Sequence, residues 1–285
     1  RCAIVTGVQT CALPISFLRD LGAWPEAAEV APLRGLRIVN RGDGEEEVLF
    51  LADELDLDAF AWNVPNAALV AQLRAAARTS VTTVRARVAE IDRRRGDWWL
   101  TLDDGRRLKA TLMVGADGKS SRVRDALKID VRRHDYGQLA NTARLTITGG
   151  HDNISTEVHK PGGPFTTVPA GPEAVSLVWL EPAEKGDRVA ALDDTSFLDA
   201  CMGEDRGRHG RLTAVEGRAA VPVVGLLAER LAGPGALILG EAAHAVSPLG
   251  AQGFNLSLRD AAALGELAGA PGYAKAQRLC RYERA

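Results

Sequence analysis

The sequence predicts an α/β protein: a parallel-sheet domain that carries ligands at its strand ends, with a small β-meander and an inserted antiparallel sheet. Three stretches predict it. Near the end, Ala236-Leu237-Ile238-Leu239 is a short, wholly apolar run of the kind a buried parallel strand shows, closed by Gly240 and followed at once by Glu241. From Val84 to Gly115 the runs VRARVAEIDRR, DWWLTL and RRLKATLMVG, with an Asp103-Asp104-Gly105 turn, read as a meander. From His134 to Val221 segments such as QLANTARLTIT, STEVHK, FTTVPA and AVSLVWLE alternate or carry β-branched residues, and Gly-Pro pairs break them apart.

The bulk properties narrow the function classes. At 285 residues and 30.3 kDa the chain can bury a sizeable core as one or two domains. A net charge of -2 with 5% aromatics offers neither a basic field nor stacking platforms for nucleic acid. Cys2, Cys11, Cys201 and Cys280 show no metal spacing and no disulfide framework, which fits unpaired thiols in a reducing cytosol. His134, His151, His159, His209 and His244 form no ligand pairs at helical spacing, so no metal is expected. No apolar run approaches the ~20 residues needed to cross a bilayer.

Taken in order, the chain opens on RCAIVTGVQTCALPIS, readable as a strand and turn with one glycine, Gly7, and without a convincing signal peptide. Leu36 to Phe60 is charged and mixed, with Glu45-Glu46-Glu47 expected as a solvated loop. Asn63-Val64-Pro65-Asn66 then precedes Leu69, Val70 and Leu73, a helix with Asn66 as candidate N-cap. In the meander Trp98 and Trp99 are expected to pack the sheet.

The meander runs into Ala116-Asp117-Gly118-Lys119-Ser120-Ser121-Arg122-Val123-Arg124. Asp117 can accept a sugar or polyol hydroxyl, Gly118 lets backbone approach closely, and Arg122 or Arg124 can meet a phosphate. An Asp-Gly turn capping a helix accounts for the same residues. After the insert, Pro222 to Leu231 returns the chain to the first domain. Glu241 then stands at the carboxyl edge of the sheet, where open α/β sheets hold ligands. A turn with Pro248 leads to Gly250-Ala251-Gln252-Gly253, which feeds a helix whose Leu256, Ala263, Leu264 and Leu267 share one face. Its first N–H groups are free to point at negative charge. Gln277 to Ala285 reads as a charged helix cut short.

Two of these strings carry a family resemblance. Gly240-Glu241, Pro248 and Gly250-Ala251-Gln252-Gly253-Phe254-Asn255, preceded by Ala116-Asp117-Gly118, Ser121 and Arg124, resemble the class A FAD-dependent aromatic monooxygenases of the para-hydroxybenzoate hydroxylase fold, most of all the branch that hydroxylates ubiquinone precursors. The resemblance implies a Rossmann-like FAD-binding domain, incomplete at its N-terminus, around the meander and the inserted substrate sheet. It places Glu241, where the family usually has Asp, on the ribityl chain, and the Pro248 to Asn255 loop under the flavin ring. It gives Asp117, Gly118 and Arg124 a part in binding FAD and in nicotinamide cofactor use. Relatives carry Arg or Gln at the flavin side where this chain has Asn66, so Asn66 is a cofactor candidate as well as a cap. Phe165, Val168 and Trp179 become candidate substrate walls, although an ordinary core sheet uses the same residues. His244 reads as a turn residue rather than a general base.

The family opens with a Gly-x-Gly-x-x-Gly turn for the FAD pyrophosphate, which Arg1 to Ser16 lacks. That segment resembles translated sequencing-adapter read-through, and the resemblance resumes at Phe17-Leu18-Arg19-Asp20. The expected division is therefore 1-16 non-matching, 17-133 and 222-285 FAD-binding, and 134-221 substrate-binding. The expected function is hydroxylation of an aromatic ring with O2 and NADH or NADPH, on a polyprenyl phenol of ubiquinone biosynthesis, in the cytoplasm or peripheral to the inner membrane, with peripheral membrane or ubiquinone-biosynthesis complex association left open. Two alternatives stand beside it: a small phenol or polycyclic secondary metabolite as substrate, and a non-catalytic fragment that does not retain FAD.

Overall fold

A computed structural model describes residues 8–10, 12–25, 30–42 and 44–268. In chain order the strands are β1 (Val8–Thr10), β2 (Ala31–Leu33), β3 (Gly35–Arg41), β4 (Glu45–Leu51), β5 (Ala61–Val64), β6 (Val88–Arg94), β7 (Asp97–Leu102), β8 (Arg107–Ala110), β9 (Met113–Gly115), β10 (Val131–Ile147), β11 (Ile154–His159), β12 (Phe165–Pro169), β13 (Ala174–Pro182), β14 (Leu212–Ala228), β15 (Ala232–Gly233), β16 (Ala236–Ile238) and β17 (His244–Ala245). The helices are α1 (Ala12–Asp20), α2 (Asn66–Ala77), α3 (Arg122–Ala126), α4 (Ala183–Ala190), α5 (Asp194–Asp205) and α6 (Gln252–Ala268). The chain divides into two compact units, Arg1–Thr79 with Tyr136–Val223 and Ser80–Asp135 with Val224–Ala285.

The first unit is built on a large sheet in the order β14-β10-β13-β12-β11-β3-β4. Its register puts Phe165 opposite Trp179 and Trp179 opposite Asn141, so these three share one face. That face is the core: Val39, Leu145, Val158, Phe165, Leu177 and Trp179 pack against Val189 of α4 and Phe197 and Cys201 of α5. On the other face Ala140, Val178, Leu180 and Val223 form a smaller apolar cluster. A three-stranded sheet, β1-β5-β2, joins this unit, and Asn63 Nδ2 donates to the Pro169 carbonyl at 2.8 Å.

Three expectations change here. Glu45, Glu46 and Glu47 are exposed as expected, but on β4, which pairs with β3 from Arg41↔Glu45 to Gly35↔Leu51. β3 in turn runs parallel to β11, so the stretch read as a solvated loop is the edge of the large sheet. Consequently the first 79 residues group with the sheet of Tyr136–Val223 and not, as expected, with the meander that follows them. For α2 the N-cap is Pro65, which makes no side-chain cap bond, and Asn66 is the first helical residue.

The second unit holds a meander, the antiparallel β6-β7-β8 sheet, but the run RRLKATLMVG read as its last strand divides into β8 and β9, of which β9 joins another sheet; Trp98 is buried, its Nε1 donating to the Pro234 carbonyl at 3.1 Å. A second small sheet, β15-β16-β9, lies in the same unit. Of the apolar stripe read on α6, Ala263, Leu264 and Leu267 meet the buried Leu237 of β16, whereas Leu256 is half-buried outside that cluster. The reading of Gln277 to Ala285 as a helix lies outside the described residues, as do Cys2, Cys11 and Cys280.

Candidate functional site

The site is set by one strand pair. β9 and β16 run parallel, Met113 opposite Ala236 and Gly115 opposite Ile238, and Leu239 N–H donates to the Gly115 carbonyl at 2.9 Å. Parallel neighbours end at the same edge, so the segments after Gly115 and after Leu239 leave the sheet side by side. Gly115 also admits α3 against the sheet: a Cβ there would lie 2.7 Å from the Val123 Cβ.

In the first of these segments Ser121 is the N-cap of α3, its Oγ accepting from the Arg124 N–H at 3.0 Å, and Asp117 accepts from the same helix end. Its Oδ1 accepts from Ser121 Oγ, and its Oδ2 from the N–H of Arg122 at 2.7 Å and of Val123 at 3.3 Å. Of the two readings the sequence left open, the cap is therefore present. It does not use up the carboxylate, which is exposed and has lone pairs to spare. Gly118, at φ +81, makes the turn. Arg124 is 3% exposed and its guanidinium is committed to backbone, Nη1 donating to the Ala242 carbonyl at 3.0 Å and Nη2 to that of Lys119 at 2.9 Å. The phosphate contact offered for Arg124 thus gives way to a staple between the two segments.

The second segment is a 3-10 turn, Gly240–Ala242, entered with Gly240 at φ +58. Gly240 N–H donates to Asp260 Oδ2 of α6 at 2.7 Å, and His244 Nε2 lies 2.8 Å from the same oxygen. The Asp260 hydrogen bond, against the opposing effect of burial, raises the pKa of His244 above the ordinary histidine value. His244 is thus a turn residue, as read, held by a carboxylate. Glu241 projects outward, exposed, with Lys119 Nζ 3.6 Å away.

The third piece is the loop into α6. Pro248, Gly250, Gln252 and Gly253 are exposed, Phe254 is half-buried, and both Gly250 (φ +70) and Ala251 (φ +50) take left-handed backbone. For Ala251 that conformation is strained. Asn255 is 5% exposed, and its buried Oδ1 has no partner among the described residues. A buried acceptor without a donor is costly in isolation and marks a place where a ligand N–H or water belongs.

The second unit therefore brings together Asp117, Gly118 and Arg124 with Gly240 and Glu241, and joins Gly240 to α6 through Asp260. Sequence reading missed Lys119 and Asp260. The available signal for Asp260 was a stripe of Gly253, Ser257 and Asp260 at helical spacing, beside the apolar stripe of α6. In the first unit Phe165 (1% exposed) and Trp179 (3%) stand edge to face at 5.4 Å in the helix-covered core. They are core side chains, which corrects their reading as substrate walls. Val168, out of phase with Phe165 by an odd step, lies on the opposite face.

A family model described as FAD binding domain matches residues 67–285. The chain belongs to this FAD-binding family. Among curated relatives, ubiquinone hydroxylase UbiL of Rhodospirillum rubrum is 34% identical over 167 residues, 58% of this chain and 39% of that protein. The 3-demethoxyubiquinol 3-hydroxylase of Escherichia coli is 28% identical over 257 residues, 89% of this chain and 65% of that protein. The chain thus spans less than two thirds of the length of either relative. Among solved structures, PqsL of Pseudomonas aeruginosa in complex with 2-aminobenzoylacetate superposes with a TM-score of 0.81 at 22% identity, covering 100% of this chain and 83% of that one, which shows the fold.

The residues at the strand ends fit the cofactor of the family. FAD presents ribityl hydroxyls and a pyrimidine N–H, and this unit offers the exposed carboxylates of Glu241 and Asp117 and the unpartnered Oδ1 of Asn255. Glycine backbone at 118, 240, 250 and 253 leaves the approach open. The first turn of α6 carries no acidic side chain to oppose an electron-rich ring edge at the helix N-terminus.

Proposed function

We propose that the protein containing this chain is an FAD-dependent monooxygenase that hydroxylates an aromatic ring with O2 and NADH or NADPH, its substrate a polyprenyl phenol of ubiquinone biosynthesis. The observation that carries this reading is the parallel β9–β16 pair, with the Arg124 staple that sets the Asp117 turn against the Glu241 turn. The names of the relatives, a ubiquinone hydroxylase and a 3-demethoxyubiquinol 3-hydroxylase, support the substrate class.

FAD, when bound, supplies the redox chemistry, moving electrons from the nicotinamide to O2. The residues of this chain bind and orient. Glu241 accepts a ribityl hydroxyl, and Asp117 accepts a second hydroxyl while its oxygens keep their bonds to the start of α3. Asn255 Oδ1 accepts a ring N–H, and the amino end of α6 favours negative charge at the ring edge through fixed dipoles. Pro248 and the glycines of the loop bring backbone close and exclude water. Val168 is as buried as the other two at 4% exposed and stays a wall candidate only because it lies on the sheet face away from α4 and α5, and Asn66 at the start of α2 keeps its candidate cofactor role.

No described helix is long and apolar enough to cross a membrane, and a lipophilic substrate is reached by peripheral association with a bilayer or with a biosynthetic complex. The test measures NAD(P)H oxidation and product formation with a polyprenyl phenol and with a small phenol of the same ring pattern. Coupled hydroxylation of the prenylated ring supports the proposal. Preference for the small phenol moves the substrate class, and uncoupled or absent turnover with FAD present overturns the reading. Flavin fluorescence of the 285-residue chain titrated with FAD reports separately whether this stretch holds the cofactor.

A further inference from the structure

The turn that presents Glu241 is held on both sides, and only one of the holders belongs to a motif read from the sequence. On one side Arg124 binds the Ala242 carbonyl. On the other a single oxygen, Asp260 Oδ2, takes both the Gly240 N–H at 2.7 Å and His244 Nε2 at 2.8 Å, gripping the first residue of the turn and the first residue of β17 at once. The contact is close along its length, since a Cβ on Gly240 would lie 3.1 Å from Ser257 Oγ, one helical turn before Asp260. Asp260 and His244 side chains are only 20% and 17% exposed, so solvent competes weakly for these bonds. Glu241, by contrast, is 59% exposed and has an ion-pair partner only at 3.6 Å, so the direction of its carboxylate is inherited from the backbone on either side of it.

We propose that Asp260 is a positioning residue: its carboxylate clasps Gly240 and His244 together and thereby fixes where Glu241 meets a hydroxyl-bearing ligand. The choice of a carboxylate follows from the geometry. Two donors converge on one oxygen, which an anion accommodates and an aliphatic side chain leaves unpaired, and charge-assisted bonds of this kind hold more tightly than neutral ones. The groups around the His244 ring are consistent with a clasp rather than a proton relay: Asp260 comes from α6, β14 presents Leu226 and Leu227 opposite Ala245 and His244, and the nearest charges on the turn itself are the exposed Glu241 and its neighbour Lys119.

The proposal rests on the reading that Glu241 faces the cofactor, and the experiment separates the two. Hydrogen exchange by mass spectrometry on the 285-residue chain follows a peptide spanning the Gly240 turn, with peptides of the β6-β7-β8 meander as internal reference. Asp260→Ala is expected to exchange about tenfold faster in the turn peptide and unchanged in the meander. Asp260→Asn keeps an acceptor oxygen and is expected to restore most of the protection, which a merely space-filling role would not require. FAD titration of the same proteins is expected to show about tenfold weaker binding for Asp260→Ala and a smaller loss for Asp260→Asn.

Unchanged exchange in Asp260→Ala overturns the clasp, and faster exchange with undiminished FAD affinity overturns the positioning role. If Asp260→Ala loses protection throughout the chain, His244→Ala, which leaves the Gly240 bond in place, takes over. Accelerated exchange confined to the turn then supports the clasp, and unchanged exchange overturns it. A wild-type chain whose turn is protected but which binds no FAD refutes the cofactor reading of Glu241, and with it the positioning role, while exchange still decides whether Asp260 grips the turn.

Discussion

Arg124 and Ala242 are joined by a buried hydrogen bond, guanidinium Nη1 to carbonyl oxygen at 3.0 Å, between segments that leave adjacent parallel strands. The bond carries a cation into the protein with no acid as its partner among the described residues. Its other terminal nitrogen is bound to the Lys119 carbonyl, so the arginine satisfies backbone at two turns. The consequence for function is geometric: Asp117 and Glu241 keep a fixed spacing because the backbone beside each is held by one rigid, planar group.

Arg124→Met is expected to lower stability by about 2–4 kcal/mol, because it leaves the buried Ala242 carbonyl and the part-buried Lys119 carbonyl without this donor. Arg124→Lys keeps the charge but lacks the planar fork, and is expected to fall between methionine and the wild type. Urea unfolding midpoints at constant slope measure both.

Gly115→Ala tests the strand pair itself. The added methyl would sit 2.7 Å from the Val123 Cβ and 3.0 Å from Ile238 Cγ2, both well inside contact distance and neither on a flexible tip. The α3 helix must then move off the sheet, at a cost of about 1–3 kcal/mol. A thermal melt with Gly118→Ala as comparison separates crowding from backbone strain, since Gly118 has open space around it but a φ of +81.

What the sequence disclosed and what it concealed divide along the range of the interactions. Ala236 to Glu241, the β6-β7-β8 meander and the Ala263, Leu264 and Leu267 stripe of α6 are local patterns, and each forms as its own spacing dictates. The β3–β4 hairpin was hidden because Arg37 breaks the apolar run of β3, because Glu45-Glu46-Glu47 opens β4 with three charges, and because the parallel partner β11 lies far along the chain. Alternation and β-branching marked the segments of the insert as strands but not which face α4 and α5 would cover, so Phe165 and Val168 were read together although they lie on opposite faces. Asp260 carries only the weak local mark of its helical spacing from Gly253 and Ser257, and its role comes from the turn packed against it.

His244 makes the second unit sensitive to pH in a defined direction. The Asp260 hydrogen bond raises its pKa, so its contribution to stability is full below the ordinary histidine range and fades as pH rises through the raised value. Stability measured by denaturant between pH 5 and 9 is expected to decline on the alkaline side by an amount that Asp260→Asn removes. An equal decline in Asp260→Asn would assign the slope to another group.

Cys201 is buried in the first-unit core, and burial pushes its thiol up to about 12. The thiolate is the reactive form, so alkylation of the native chain at pH 8 should leave Cys201 unmodified, while denatured chain reacts at once. Peptide mapping after iodoacetamide treatment reads this position directly.

Glu181 gives the first unit its own pH dependence, of opposite sign. Its side chain is 1% exposed, with Oε1 accepting from Lys160, from Lys185 at 2.9 Å and from Trp179 Nε1 at 2.9 Å, while Oε2 has no partner among the described residues. Burial alone would raise the carboxyl pKa, but the donors on Oε1 outweigh it and the net shift is downward. A depressed carboxylate stabilises the fold above its unfolded value and loses that contribution as pH falls through the folded one, so acid unfolding should include Glu181 at and below about pH 4.5. Glu181→Gln removes the charge and leaves Lys160, itself 9% exposed, with Glu204 as its remaining carboxylate. The variant is expected to lose about 3–5 kcal/mol at neutral pH and to show a shallower acid slope than the wild type. Glu181→Leu with Lys160→Met, which deletes both charges, should recover much of the loss. A double variant no more stable than Glu181→Gln would mean that the pair holds the end of β13 by charge rather than by filling space.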